Sequence, residues 1–398
     1  MSEAPSSSPP LPLRLRELAA LFVKLGAISF GGPAAHIALI ETEVVRKREW
    51  ITRQQFLDML GAANLIPGPT STEMAINVGF VRAGWAGLCV AGASFILPAA
   101  LITAAFAWAY VRFGDLPQAA SILSGIKPAV LAVIAIAICR LGKSALKDFG
   151  LVVLGVVALA AFFVGMNPVA ILFGGGLLGM VARRLASFKA ANVALASIAF
   201  PLRTSPTLGA LIVSSAAAAA TITRPSIGKI GFFFLKVGAV LYGGGYVLLA
   251  FLEQGLVQQH AWLTQKQLLD AVAIGQFTPG PVLSTATFIG YVLGGVPGAA
   301  VATVGIFLPS FLYVALLAPV LFRLRQSGWM AAFLDSVNAC AVALMAAVTF
   351  HLGVDALRRW QGWVIALAAL AVLLRWKISP AWVVLGGGFA GSLFAFVR

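Results

Sequence analysis

The stretch "NLIPGPTSTEMAIN", residues 64–77, sets two prolines and a glycine inside an apolar segment that otherwise reads as a membrane helix, and "IGQFTPGPVLSTATFI", residues 274–289, does so again. Proline removes a backbone N–H and disfavours helix in the residue before it. Within a bilayer such unpaired backbone is tolerated mainly where protein, ion or water satisfies it, which means around a cavity. A single PGP is most simply a kink in a packed helix. Two in matching contexts point instead to a binding site near the membrane midplane, where inverted-repeat transporters place paired broken helices.

The membrane itself follows from composition. Of 398 residues 60% are hydrophobic and 10% charged, against roughly 25% charged in a soluble domain. Apolar runs at 85–111, 119–141, 296–322 and 331–352 approach the roughly 20 residues that span a bilayer. The net charge of +15 is scattered between apolar segments rather than clustered, so it reads as loop charge and not as a nucleic-acid surface. Residues 1–12, "MSEAPSSSPPLP", lack the basic and apolar regions of a signal peptide and read as a disordered tail. Cys89, Cys139 and Cys340 stand singly in apolar runs, and His36, His260 and His351 are dispersed. No metal or cofactor set, phosphate loop or hydrolase elbow is legible. A membrane enzyme would need convergent histidines or carboxylates, so enzyme and scaffold are the weaker classes.

Aligning Lys24 with Lys236 superposes "FVKLGAISFGG" on "FLKVGAVLYGG". The same register pairs Glu41 with Glu253, Trp50 with Trp262, Thr52 with Thr264, Gln55 with Gln267 and Asp58 with Asp270. Pro67, Gly68 and Pro69 meet Pro279, Gly280 and Pro281. After a one-residue slip Gly87 meets Gly298 and Pro98 meets Pro309. The chain therefore reads as two copies of one unit, 13–184 and 225–398, joined by a linker at 185–224.

Loop charge suggests that the copies are inverted. "ETEVVRKREWITR" carries Arg46, Lys47, Arg48 and Arg53, whereas its counterpart "EQGLVQQHAWLTQ" has no Lys or Arg. Conversely "FRLRQSG" holds Arg323 and Arg325 where the first copy has "VRFGDLP", with Arg112 alone, and "LRWK" holds Arg375 and Lys377 opposite the uncharged "FVGM". Inversion needs an odd number of crossings, which an extra linker helix at 207–223 would supply. The expected fold is all-α and polytopic, with broken, re-entrant segments at the start of each copy. It would have about nine full spans and roughly 10–13 transmembrane segments in all. Arg224, Arg358 and Arg359 fall on the outer side of this scheme and count against it.

Thr52 with Gln55, and Thr264 with Gln267, form T-x-x-Q capping boxes that open a helix before each PGP. From Arg53 to Ile66 the first would reach about 20 Å, past the middle of the hydrocarbon core. After Pro69 a second helix starts at Thr70 or Ser71, and after Pro281 another at Leu283 or Ser284. Their free N–H groups suit an anion, and the hydroxyls of Thr70, Ser71, Thr72, Ser284, Thr285 and Thr287 add donors. Lys24 and Lys236, inside apolar runs, are either fixed cations facing that anion or lysines that snorkel to the headgroups. Gly31, Gly32, Gly243 and Gly244 allow close approach of backbone to a substrate or of helix to helix. Asn64, Asn77, Gln276 and Asn338 are polar groups for a pathway or for interhelical hydrogen bonds. Asp58, Asp270 and Glu73 are candidates for carrying a coupling proton, with a salt bridge as the alternative for Asp58. Thr285 stands where the second copy would match Glu73.

In "SFGGPAAH", "NLIPGPTSTEMAINVGF" and "FTPGPVLSTATFIGY" the chain resembles the long, two-domain form of the chromate ion transporter family. The resemblance implies a proton-motive-force-driven exporter of chromate, an antiporter of the cytoplasmic (inner) membrane that confers chromate resistance. The second copy departs from the pattern, with "YGGG" for "FGGP". The residues themselves say only "small oxyanion", and sulfate, likewise a tetrahedral dianion, is the alternative substrate. The expected partners are that oxyanion and the lipid bilayer, with a homodimer left open and no nucleic acid.

Overall fold

The computed structural model describes residues 9–30, 32–114, 116–189, 225–242, 245, 247–317, 328–376 and 378–396. The expected linker helix, Gly31, Gly243 and Gly244, and Arg224, Arg323, Arg325 and Lys377 lie outside them. The first copy runs through α1 (Leu11–Ile28), α2 (Pro33–Glu41) extended by a π-helical turn (Thr42–Lys47), α3 (Arg53–Ala63), α4 (Thr70–Phe113), α5 (Pro117–Ala145), α6 (Phe149–Phe163) and α7 (Pro168–Lys189). The second repeats the series: α8 (Ile227–Val240), α9 (Leu248–Leu252) with its π-helical turn (Glu253–Gln259), α10 (Gln265–Phe277), α11 (Thr285–Leu317), α12 (Gly328–Ala356), α13 (Trp360–Arg375) and α14 (Pro380–Phe396). There is no strand among the described residues.

Thr70–Phe113, Ser121–Ala145, Val282–Leu316 and Gly328–Val354 are long and apolar enough to cross a membrane, and four shorter apolar helices accompany them. Large apolar side chains such as Trp85, Leu101, Phe232 and Leu316 are exposed on the outside of the bundle, as lipid contact requires. The chain is an all-helical, multi-pass membrane protein.

Each half begins with helices that turn back. Both capping boxes form: Thr52 accepts from the Gln55 N–H and Thr264 from the Gln267 N–H, each reciprocated by the glutamine side chain. α4 is two legs joined at Ala83 and Gly84, the latter at φ 59° and ψ −147°. The legs fold together so closely that a Cβ on Gly79 would collide with the Gly87 carbonyl. The path from Arg53 to Arg82 therefore ends where it began: the Arg82 guanidinium lies 4.9 Å from the centre of the Trp50 ring and pairs with Glu17 at 3.1 Å. In the second copy Gly294 and Gly295 make the same turn, and Gly290 packs on Gly298. The far end of α4 meets the other copy, where the Tyr110 hydroxyl donates to Asp270 at 2.9 Å and its ring lies 5.2 Å from Phe288.

Two local expectations change. α3 stops at Ala63, not Ile66, because Leu65 and Ile66 tighten into i→i+3 bonds on Ala62 and Ala63 before Pro67 is reached. Its eleven residues span about 16 Å. After Pro281 a 3₁₀ turn, Val282–Ser284, precedes α11, so the second break does not open directly into an α-helix.

Candidate functional site

The two breaks interlock. The Gly68 N–H donates to the Leu241 carbonyl at 2.8 Å, and the Gly280 N–H donates to the Ser29 carbonyl at 2.8 Å. Ser29 and Leu241 are equivalent residues capping the C-termini of α1 and α8. Each PGP thus satisfies the broken helix of the opposite copy, and the two glycine N–H groups are not left for a ligand. Both glycines have positive φ, 144° at Gly68 and 89° at Gly280. At the first break the Thr72 and Glu73 N–H groups fold back on the Pro69 carbonyl. Those of Thr70 and Ser71 have no backbone acceptor among the described residues.

Around this shared frame the copies differ. Glu73 is fully buried in the first break and neither carboxylate oxygen has a hydrogen-bond partner. Ser310 reaches the same spot from α11, its hydroxyl also unpartnered, and a Cβ on Gly68 would fall against both. In the second break Thr285 replaces Glu73 and bonds to the Val282 carbonyl at 2.8 Å, while Ala99 packs on Gly280 where Ser310 packs on Gly68. The first break therefore holds an unpartnered carboxylate, whereas the second, where the Ser29 and Ser284 hydroxyls are unpartnered but no carboxylate is, closes more tightly.

The cavities follow this asymmetry. One of about 560 Å³ lies against the first break, with Asn64, Gly68, Thr70, Arg140, Tyr242 and Asn338 among its walls. Lys147 and Asp335, paired at 2.9 Å, also line it. Arg183 joins Asp335 at 3.0 Å and also pairs with Asp148. The void at the second break, bordered by Ser29, Gly32, Gln276, Thr278 and Gly280, is only about 10 Å³. A third cavity, of about 890 Å³, is set against the start of α10 and reaches Tyr110, Lys127 and Asp270.

Of the residues singled out in the sequence, Pro67, Gly68, Pro69, Ser71, Thr72, Pro279, Gly280, Pro281, Ser284 and Thr285 are buried at the breaks, and Thr70 and Gln276 are half-buried there. Asn64 lines the cavity of about 560 Å³. Asn77 is buried but donates to the Glu73 carbonyl of its own helix at 3.0 Å. Lys24 and Lys236 are not brought to the breaks. Lys24 is exposed with its amine 3.8 Å from Glu43, Lys236 is exposed on α8, and neither lines these cavities. Asp58 and Asp270 part company: Asp58 accepts from Gln54 at 3.2 Å near the surface, whereas Asp270 is fully buried against Lys127 at 2.9 Å. Sequence reasoning missed Arg140, Lys127 and Ser310. The internal alignment held the signal, since these residues meet His351, Asn338 and Ala99 in the other copy.

The family described as chromate transporter matches residues 16–180 and 228–392, once per copy. The chain is 34% identical over 380 residues to a chromate transport protein of Cupriavidus metallidurans, covering 95% of this chain and 92% of that one. It is 31% identical over 400 residues to a chromate transport protein of Pseudomonas aeruginosa, covering 98% and 95%. It is 30% identical over 367 residues to a probable chromate transport protein of Synechococcus elongatus, covering 92% and 91%. No solved structure matches.

Proposed function

Because the chain belongs to the chromate transporter family, we propose that it is a secondary active transporter that exports chromate across the cytoplasmic membrane, driven by the proton motive force, and so confers chromate resistance. The observation that carries this reading is the cavity of about 560 Å³ against the first break, within the roughly 300–1,000 Å³ of ligand sites. A tetrahedral dianion there would meet the Arg140 guanidinium, the Asn64 and Asn338 amides, the Thr70 hydroxyl and the positive end of α4.

The direction comes from the arrangement of the halves. In our reading the copies are inverted, and Arg46, Lys47 and Arg48 mark the cytoplasmic face. α4 leaves that face after Arg82 and ends beside the second copy, and α5 returns, bringing Arg140 and Lys147 back toward it. The first cavity would then load from the cytoplasm. Glu73, buried without a partner, is the group that would carry the coupling proton, and exchange of open and sealed breaks would give alternating access.

The test is flux of labelled chromate in proteoliposomes, with and without an imposed pH gradient and with sulfate as competitor. Gradient-driven accumulation against a chromate gradient is expected. No flux in either direction would refute the reading, and full inhibition by sulfate near chromate's own affinity would make sulfate the better substrate. Arg140→Gln should raise the KM for chromate at least tenfold, on the order of 1.4 kcal/mol, in a protein that still inserts. An unchanged KM would take Arg140 out of the site.

A further inference from the structure

Asp270 and Lys127 form an ion pair at 2.9 Å, with side chains 0% and 13% exposed. The Tyr110 hydroxyl donates to the second carboxylate oxygen at 2.9 Å. The pair borders the cavity of about 890 Å³, whose other charged walls are Lys266 from α10 itself and Arg358 and Arg359 from the turn before α13. α11 contributes Val292, and α14 contributes Gly391, Phe394 and Ala395, none of them titratable. Among the described residues that line it, Asp270 is the one acid facing four basic side chains.

Such a wall concentrates anions. It also accounts for Arg358 and Arg359, which stand on the face that loop charge otherwise leaves poor in Lys and Arg: they serve a vestibule rather than orientation. At the bottom of that vestibule, a carboxylate already occupies the place on Lys127 that an oxyanion would take. A carboxylate and a tetrahedral oxyanion make the same charge-assisted bonds to an ammonium group and a phenol.

We propose that Lys127, with Tyr110 beside it, is a second oxyanion subsite on the face opposite the first cavity, and that Asp270 is a built-in competitor that keeps this subsite weak. An incoming dianion displaces the Asp270 carboxylate from Lys127, and the returning carboxylate expels it. Low affinity on one face and higher affinity at Arg140 on the other is what a pump needs to load and release. The inference rests on reading the chain as an oxyanion transporter. A wild-type chain with no chromate flux would fail that reading, whereas the outcomes below bear on the subsite in a chain that transports.

The experiment is equilibrium binding of labelled chromate to the purified full chain carrying Arg140→Gln, so that the first cavity is weakened. Adding Asp270→Asn should tighten the remaining binding at least tenfold and slow release. The double substitution Lys127→Gln with Asp270→Asn, which removes both charges together, should abolish it. Unchanged or weaker binding in Asp270→Asn, or binding retained in the double variant, would overturn the proposal and leave the pair a structural clasp. Should Asp270→Asn not purify as a monodisperse protein, the wild-type ion pair is probed through Ser124→Cys, which lines the same cavity, in a chain whose native cysteines are replaced by serine. Saturating chromate should slow its labelling by an anionic thiosulfonate several-fold, and labelling at an unchanged rate would refute the subsite.

Discussion

Gly68 and Glu73 show how tightly single residues are specified at the first break. Gly68 sits at φ 144°, and any side chain there would meet the Glu73 carboxylate and the Ser310 hydroxyl. Gly84 at φ 59° also needs a left-handed backbone, but a Cβ there meets nothing within 4 Å. Gly84→Ala should therefore cost only the backbone term, about 1–3 kcal/mol, and leave transport intact. Gly68→Ala adds a clash to strain of about 1–3 kcal/mol and should abolish transport. Thermal unfolding in detergent together with flux would check this, and equal effects of the two substitutions would contradict it. Glu73 makes a separate prediction because its loss empties the proton position without removing packing volume. Glu73→Gln should keep chromate exchange at equilibrium and lose acceleration by a pH gradient. A retained gradient response would move coupling elsewhere.

At the scale of the element, the capped helix starts before each break were the most legible feature and helix lengths the least. T-x-x-Q at Thr52 and Thr264 announced two capping boxes that the structure forms atom for atom. The early stop of α3 at Ala63 was not legible, because it depends on how Leu65 and Ile66 turn toward a glycine bonded to the other half of the chain. Long-range partners hid site residues in the same way. Lys127 and Arg140 are, with Lys143, the basic residues of one apolar helix, and only the packing of α10 and α12 against α5 gives the first two a role. Asp148, which caps α6, offers a test outside the membrane spans. The Leu151 N–H and then the Arg183 guanidinium hold its carboxyl below the usual carboxylate range. A carboxylate favoured by folding stabilises above its unfolded value, near about 3.9, and that contribution is lost as pH falls through the folded value. Asp148→Ala should therefore cost about 1 kcal/mol at neutral pH. The gap to wild type should close below about pH 4, as read from melting temperatures across pH. A gap that persists in acid would mean that the cap is not the cause.

For the whole molecule, the interlock between the breaks is the organising contact. A chain of two copies could place them side by side, each complete, with either orientation. Here the Gly68 N–H needs Leu241, and the Gly280 N–H needs Ser29, so neither half can close its broken helices alone. The second leg of α4 separates the two sets of turned-back helices, with Arg82 and Trp50 at one end and Tyr110, Asp270 and Phe288 at the other. Taken with our reading of the opposite loop charges as inverted copies, that geometry makes a direct topological prediction. In intact cells a cysteine at position 47 should resist a membrane-impermeant thiol reagent, and one at position 259 should react with it; both sites end the equivalent π-helical turns. Reaction at both positions, or at neither, would mean parallel copies. The two cavities would then load from one face, and a scheme in which one break opens as the other seals would lose its physical basis.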